Sequence, residues 1–114
     1  MKTHVLKLPK DYSFEKVGIK GKKYFAQELT KKSGFVFVET EKGHQTIIVN
    51  HKIDCFYFVL EGNGYFKIDD VRETFSKYDL IVIPAESKFT YKGKAIFLRI
   101  TTPPYYPEQE ETLQ

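Results

Sequence analysis

From Gly34 onward the chain reads as short runs of apolar and β-branched or aromatic residues separated by turn-forming ones. Phe35-Val36-Phe37-Val38 is a continuous apolar strand that ends before the turn Glu41-Lys42-Gly43. Gln45–His51 (Q-T-I-I-V-N-H) is the next strand. Cys55–Glu61 and Tyr65–Asp69 flank Gly62-Asn63-Gly64, a pattern that predicts a hairpin because Gly and Asn tolerate the positive φ of a tight turn. After the turn at Asp69-Asp70 come a short strand at Glu73–Phe75 and a buried one at Asp79–Ile83, stopped by Pro84. Lys88–Tyr91, the turn Lys92-Gly93-Lys94 and Ala95–Thr101 complete the series, and Pro103-Pro104 prevents further ladder pairing. Residues 1–23 carry Pro9, Gly18, Gly21 and seven lysines, which predicts extended or loop structure with one short strand. No segment sustains a 3.6-residue period, so the chain is expected to be all-β, a sandwich or a barrel.

Composition narrows this only in part. A length of 114 residues suits one domain with a single core, and 16% aromatic content without Trp fits rings packed on pleated sheet. The net charge is +3, and 11 of the 18 Lys and Arg fall in residues 1–52, interspersed with acidic residues. That reads as a solvated surface rather than the basic stripe a nucleic-acid partner requires. No apolar run approaches the ~18 residues of a membrane span, and none follows Met1-Lys2-Thr3-His4. A single cysteine excludes an internal disulfide and a Cys-rich zinc site, and a reducing, cytoplasmic setting is expected.

The turn spacings match a known pattern. Gly43 is followed by five residues, Val49-Asn50-His51, three residues, Cys55, six residues and Gly62. After fifteen intervening residues Tyr78 precedes five residues, Pro84-Ala85-Glu86, two residues, Phe89, three residues and Gly93. In these spacings, and in the blocks F-Y-F-V-L-E-G-N-G and D-L-I-V-I-P-A, the chain resembles the cupin superfamily. The ending T-P-P-Y-Y-P-E-Q-E is similar to tails of small bacterial cupins. The resemblance implies a single-domain jelly-roll β-barrel over residues 34–102, preceded by an N-terminal extension (1–33) and followed by an acidic tail (103–114). It also implies a homodimer, with the extension adding strands to a neighbour through Val5-Leu6-Lys7-Leu8 and Tyr24-Phe25.

Metal-bearing cupins close a divalent-cation site with three His and one Glu. The matching positions here are Val49, His51, Cys55 and Phe89, so His51 alone keeps a ligand. One imidazole does not offset a cation's lost hydration, and no metal or other cofactor is expected. If Cys55 points inward, alternation carries Tyr57 and Val59 with it, while Val49 and His51 line the lumen from the preceding strand. Phe89 brings Tyr91; Phe35, Phe37, Phe97 and Arg99 depend on which face of their strands is inner. His44, about seven residues or 23 Å of extended chain from His51, is not expected to converge with it.

The predicted interior is apolar and aromatic with sparse polar tips, the composition of a small-molecule pocket. Its candidate lining is His51, Cys55, Tyr57, Val49, Phe89, Tyr91, Arg99 and Phe37. Two functions fit. One is metal-independent binding of a small molecule, with a carbohydrate-like ligand as a candidate. The alternative is a sugar or nucleotide-sugar isomerase or epimerase with His51 as base and Tyr57 or Tyr91 as acid. Arg72 and Arg99 are the only arginines, too few for a pyrophosphate cluster, which favours binding.

Overall fold

The computed structural model describes residues 3–113. Two 15-residue strands organise it: β5 (Asp54–Ile68) and β8 (Lys88–Thr102), antiparallel along their whole length. On its other side β8 pairs with β3 (Gly34–Thr40) and, near its start, with β4 (Ile48–Asn50). β1 (Phe14–Lys16) and β2 (Ile19–Tyr24) extend the sheet beyond β3. β6 (Val71–Phe75) and β7 (Leu80–Ile83) line up along the free side of β5. A 3-10 turn at Pro107–Gln109 leads into β9 (Glu110–Thr112), which pairs with β4. Residues outside the expected core of 34–102 are thus hydrogen-bonded into the same sheet at both of its ends. Among the described residues no helix is long and apolar enough to cross a membrane.

The hairpin expected at Gly62-Asn63-Gly64 is absent, as is the turn at Lys92-Gly93-Lys94; both stretches run on within β5 and β8. The glycines serve close approach instead. A Cβ at Gly62 would strike the Lys94 carbonyl, one at Gly64 the Lys92 carbonyl, and one at Gly93 the Asn63 carbonyl. The strands therefore stay paired at a close approach that any side chain would prevent. The tight turns fall elsewhere, at Val17-Gly18 and Asp69-Asp70, where both residues have positive φ as a two-residue hairpin loop requires. The strand expected over Gln45–His51 is reduced to Ile48–Asn50.

Ladder register assigns the faces. Val36, Arg99, Tyr57 and Ile81 form one inward row, Val38, Phe97 and Val59 a second, and Thr101, Cys55 and Ile83 a third. A register shift between Val59 and Glu61 moves the inward positions of β5 from odd to even numbers, so Phe66 also points into the core. Tyr57, Phe66, Phe75, Tyr91 and Phe97 pack there with ring centroids 4.8–5.7 Å apart. On the outer face Phe35, Ile100, Phe56 and Val82 form one apolar row and Phe37, Leu98, Phe58 and Leu80 another. Phe37 is therefore an outer residue rather than a lumen residue, its neighbours across the ladder being Lys22 and Leu98.

The same reasoning corrects β4. Ile48 lies opposite Phe89 and joins the core, whereas Val49 lies opposite Lys88 and Glu111, with His51 on the same side. The expected inward pair was one residue out of register, and a one-residue slip exchanges the two faces of a strand. Val49, His51, Cys55 and Phe89 do not converge on one interior point.

Candidate functional site

His51 stands at the surface, its side chain 42% exposed. Its Nδ1 meets Glu86 and its Nε2 lies 2.8 Å from Glu111 Oε1. Hydrogen bonds to Glu111 and then Glu86 raise its pKa, which favours a charged imidazolium tying β9 to the Pro84–Glu86 turn. Beneath it, Gln109 Nε2 donates to Asn50 Oδ1 (2.7 Å) and Asn50 Nδ2 to Cys55 Sγ (3.4 Å). Cys55 is buried, and burial pushes its thiol up to about 11, so it remains protonated and is a poor ligand or nucleophile.

The interior histidine is His44. Gly43, at φ 109°, lies so close to β8 that a Cβ would meet the Tyr91 carbonyl. That approach lets His44 N–H donate to Tyr91 O (2.9 Å). The His44 carbonyl accepts from Lys92 Nζ (2.6 Å) and Thr90 Oγ1 (3.2 Å), so its backbone is fixed from both sides. The imidazole then stands edge-on to the Tyr91 ring, centroids 5.6 Å apart. Thr46 surrounds Nδ1 with its carbonyl at 3.0 Å and its N–H and hydroxyl at 3.1 Å; none of these bonds involves Nε2. Burial holds the ring's pKa down at about 4, and Arg99, Lys92 and Lys16 push the same way. His44 is a neutral imidazole at neutral pH.

Tyr57, Tyr91 and Arg99 lie beside it. Tyr57 faces Arg99 across the β5–β8 ladder and packs 5.5 Å from Tyr91. Burial pushes both tyrosine hydroxyls well up, with Arg99 acting in the opposite direction. The Tyr91 hydroxyl and Arg99 Nε are buried without a hydrogen-bond partner. Two such orphans side by side cost stability, since each forfeits water without replacement.

A cavity of about 180 Å³ opens onto His44 and Arg99. Its walls are Phe14, Lys16 and Val17 from the first hairpin, Ile19 and Lys23 of β2, Ile48 of β4, and Tyr105, Glu110 and Thr112 of the C-terminal segment. The C-terminal segment thus folds back as a wall, with the Tyr105 hydroxyl donating to Glu110 Oε1 at 2.9 Å. A wider groove of about 690 Å³ runs past Glu15, Lys20, Glu41, Glu61 and Lys94. Its carboxylates Glu15, Glu41 and Glu61 are exposed, Lys16 lines both openings, and Glu41–Lys94 and Glu61–Lys77 are paired, so the 180 Å³ cavity carries the distinctive chemistry.

Of the residues expected in the lumen, the structure brings Tyr57, Tyr91 and Arg99 together, with Cys55 and Phe89 in the adjoining core. It adds His44, which distance along an assumed straight strand had set aside; residues 44–47 are not a strand, and only the Gly43 approach marks the position. A divalent cation does not fit this cavity. Its wall offers one imidazole and one carboxylate against three cations, and among the described residues no group of three or more His, Cys, Asp or Glu is arranged to hold a metal.

No family model and no curated protein matches the chain. Solved structures do. The cupin domain of Schizosaccharomyces pombe Cnp3 superposes with a TM-score of 0.65 at 16% identity, over 80% of this chain and 69% of that one. The chain has the cupin fold. KdgF from Halomonas sp. gives a TM-score of 0.71 at 15% identity, over 86% and 90% of the two chains. Streptomyces Pac13, described as a nucleoside dehydratase, gives 0.89 at 21% identity, over 99% of this chain and 92% of its own. Three further Pac13 structures contain uridine, each with one substitution: a histidine to glutamine, or one of two tyrosines to phenylalanine. These superpose with TM-scores of 0.89–0.90 at 20–21% identity.

Proposed function

We propose that this cupin binds a nucleoside-like small molecule between His44 and Arg99 and removes water from it by metal-independent acid–base chemistry. The observation that carries the reading is the pair of buried, unpartnered polar atoms, Tyr91 hydroxyl and Arg99 Nε, beside a neutral buried imidazole. An unfilled polar pair in an otherwise satisfied core is the cost expected of a site whose partner arrives with the ligand. The likeness to Pac13 supports the class of ligand. The histidine and two tyrosines substituted in its uridine-containing structures are spaced 13 and 34 residues apart, the spacing of His44, Tyr57 and Tyr91 here.

In this reading His44 takes a proton from carbon through its free ring nitrogen. A hydroxyl on the adjoining carbon leaves with a proton from Tyr91, the double bond forms, and water departs. Return of the His44 proton to Tyr91 restores both groups. Arg99 and Tyr57 hold the ligand oxygen on which negative charge develops; the cations that depress the His44 pKa are those that stabilise this charge. Base catalysis moves from His51, whose nitrogens are both occupied, to His44. Calorimetry with uridine, followed by mass spectrometry for loss of one water from candidate nucleosides, tests the reading. Binding abolished by Arg99→Met and turnover abolished by His44→Gln are expected; wild-type protein that binds no nucleoside overturns it.

We also infer that the chain is a cytoplasmic homodimer. The support is the outer apolar sheet face, with the N-terminal extension beside it, where β1 pairs with only Ile19–Gly21 of β2. Leu80 and Val82 are 57% and 52% exposed at one end of that face, where a second copy would cover them. Light scattering of a Leu80→Lys/Val82→Lys variant decides it: the wild type must show twice the mass of the variant.

A further inference from the structure

Resting on that reading of the cavity, we propose that the ligand carries a phosphate, held at the mouth by Lys16 and Lys23. The lysine-rich run K-G-K-K divides by face. Lys20 and Lys22 turn outward, each ammonium within 4.8 Å of the Tyr12 ring centre. Lys23 turns inward, in one ladder row with Val36 and Arg99. Lys16, opposite Ile19, shares that inward face of the β1–β2 hairpin. Both lysines line the cavity, and neither belongs to any ion pair among the described residues.

The cavity wall is thus unbalanced. Lys16, Lys23 and Arg99 face one carboxylate, Glu110, while His44 is neutral. An excess of two positive charges matches the charge of about −1.5 to −2 on a phosphate monoester at neutral pH. The sizes also agree. A volume of about 180 Å³ equals roughly six waters, enough for a pentose-sized body but not for that body and a phosphate together. With the sugar against His44 and Arg99, the phosphate falls at the mouth, where the two lysines are exposed. The unmatched ammoniums mark a nucleoside monophosphate in preference to an uncharged nucleoside.

Calorimetry with four probes separates this proposal from the one beneath it: uridine, uridine 5′-monophosphate, ribose 5-phosphate and inorganic phosphate. The monophosphate should bind about tenfold or more tightly than uridine, as expected for added charge-assisted contacts. That advantage should shrink at high salt and vanish in Lys16→Gln/Lys23→Gln. It should persist in Lys31→Gln/Lys32→Gln, which removes the same charge from a loop that does not line the cavity. Equal affinity for uridine and its monophosphate overturns the phosphate inference and leaves the nucleoside reading standing. Lysine-dependent binding of ribose 5-phosphate or phosphate, with no gain from the base, upholds the anion site and overturns the nucleoside reading. An advantage that survives the double substitution overturns the role given to Lys16 and Lys23, and absence of binding by every probe overturns both proposals.

Discussion

Two histidines seven residues apart meet opposite fates. His51 is solvated, paired on both ring nitrogens and shifted toward the charged form. His44 is buried, bonded on one nitrogen only and held neutral. The difference lies in what each environment leaves unsatisfied. Around His51 both ring nitrogens already face carboxylates, those of Glu86 and Glu111. Around His44 the Tyr91 hydroxyl and Arg99 Nε have no hydrogen-bond partner. Incomplete satisfaction in a buried place, rather than the presence of an imidazole, marks the candidate site.

The sharpest way to break this contrast is a pair of substitutions. His44→Gln should lower turnover of a nucleoside substrate by about 10²–10⁴-fold, the usual scale of a lost general base. His51→Gln should leave turnover unchanged. Steady-state kinetics on both variants decides it, and equal losses would erase the distinction.

Acid titration probes the same contrast through stability. The folded pKa of His44, about 4, lies below its ordinary value of 6.5. As pH falls, the unfolded chain therefore takes up this proton first. The contribution is complete above about 6.5, declines between about 6.5 and about 4, and levels off below. The shift corresponds to roughly 3 kcal/mol. Urea unfolding from pH 7 to pH 4 should show that decline in wild type relative to His44→Gln; parallel curves would place His44 in solvent.

Tyr91→Phe removes a buried hydroxyl that has no partner. The variant should gain up to about 1 kcal/mol of stability while ligand affinity falls. Thermal melts and calorimetry read the two effects separately; a loss of stability would reveal a partner for that hydroxyl in the free protein.

The smallest effect belongs to His51. Its folded pKa is raised, so its stabilisation is full below the ordinary pKa and fades as pH climbs through the raised value. The group is exposed and its pairs are screened by salt. Amide protection along Glu110–Thr112, relative to the intrinsic exchange rate, should fall modestly at alkaline pH in wild type and be low at all pH values in His51→Gln.

Much of the fold was legible because β structure writes its period into the sequence. Phe35–Val38, the strand that stops at Pro84, and Tyr57 with Tyr91 as interior rings follow from alternation and turn chemistry. The strand expected to be buried over Asp79–Ile83 instead exposes Leu80 and Val82, because β7 pairs only with β5. The glycines at 62, 64 and 93 misled because glycine serves both a tight turn and close backbone approach. Only the pairing partner distinguishes the two uses. At Val49 and His51 the motif spacing held while the register slipped by one, and no local signal in I-I-V-N-H fixes which face is inner.

What the sequence determined by itself was therefore the class of architecture and the aromatic character of the interior. These depend on residue type and spacing along one strand. The tertiary structure alone decided that His44 rather than His51 is buried, that the C-terminal segment walls the cavity, and that Lys16 and Lys23 face the same opening as Arg99. Each is a relation between strands distant in the chain. Such relations are set by ladder register and by the Gly43 contact with β8, where one residue of shift exchanges the inside for the outside.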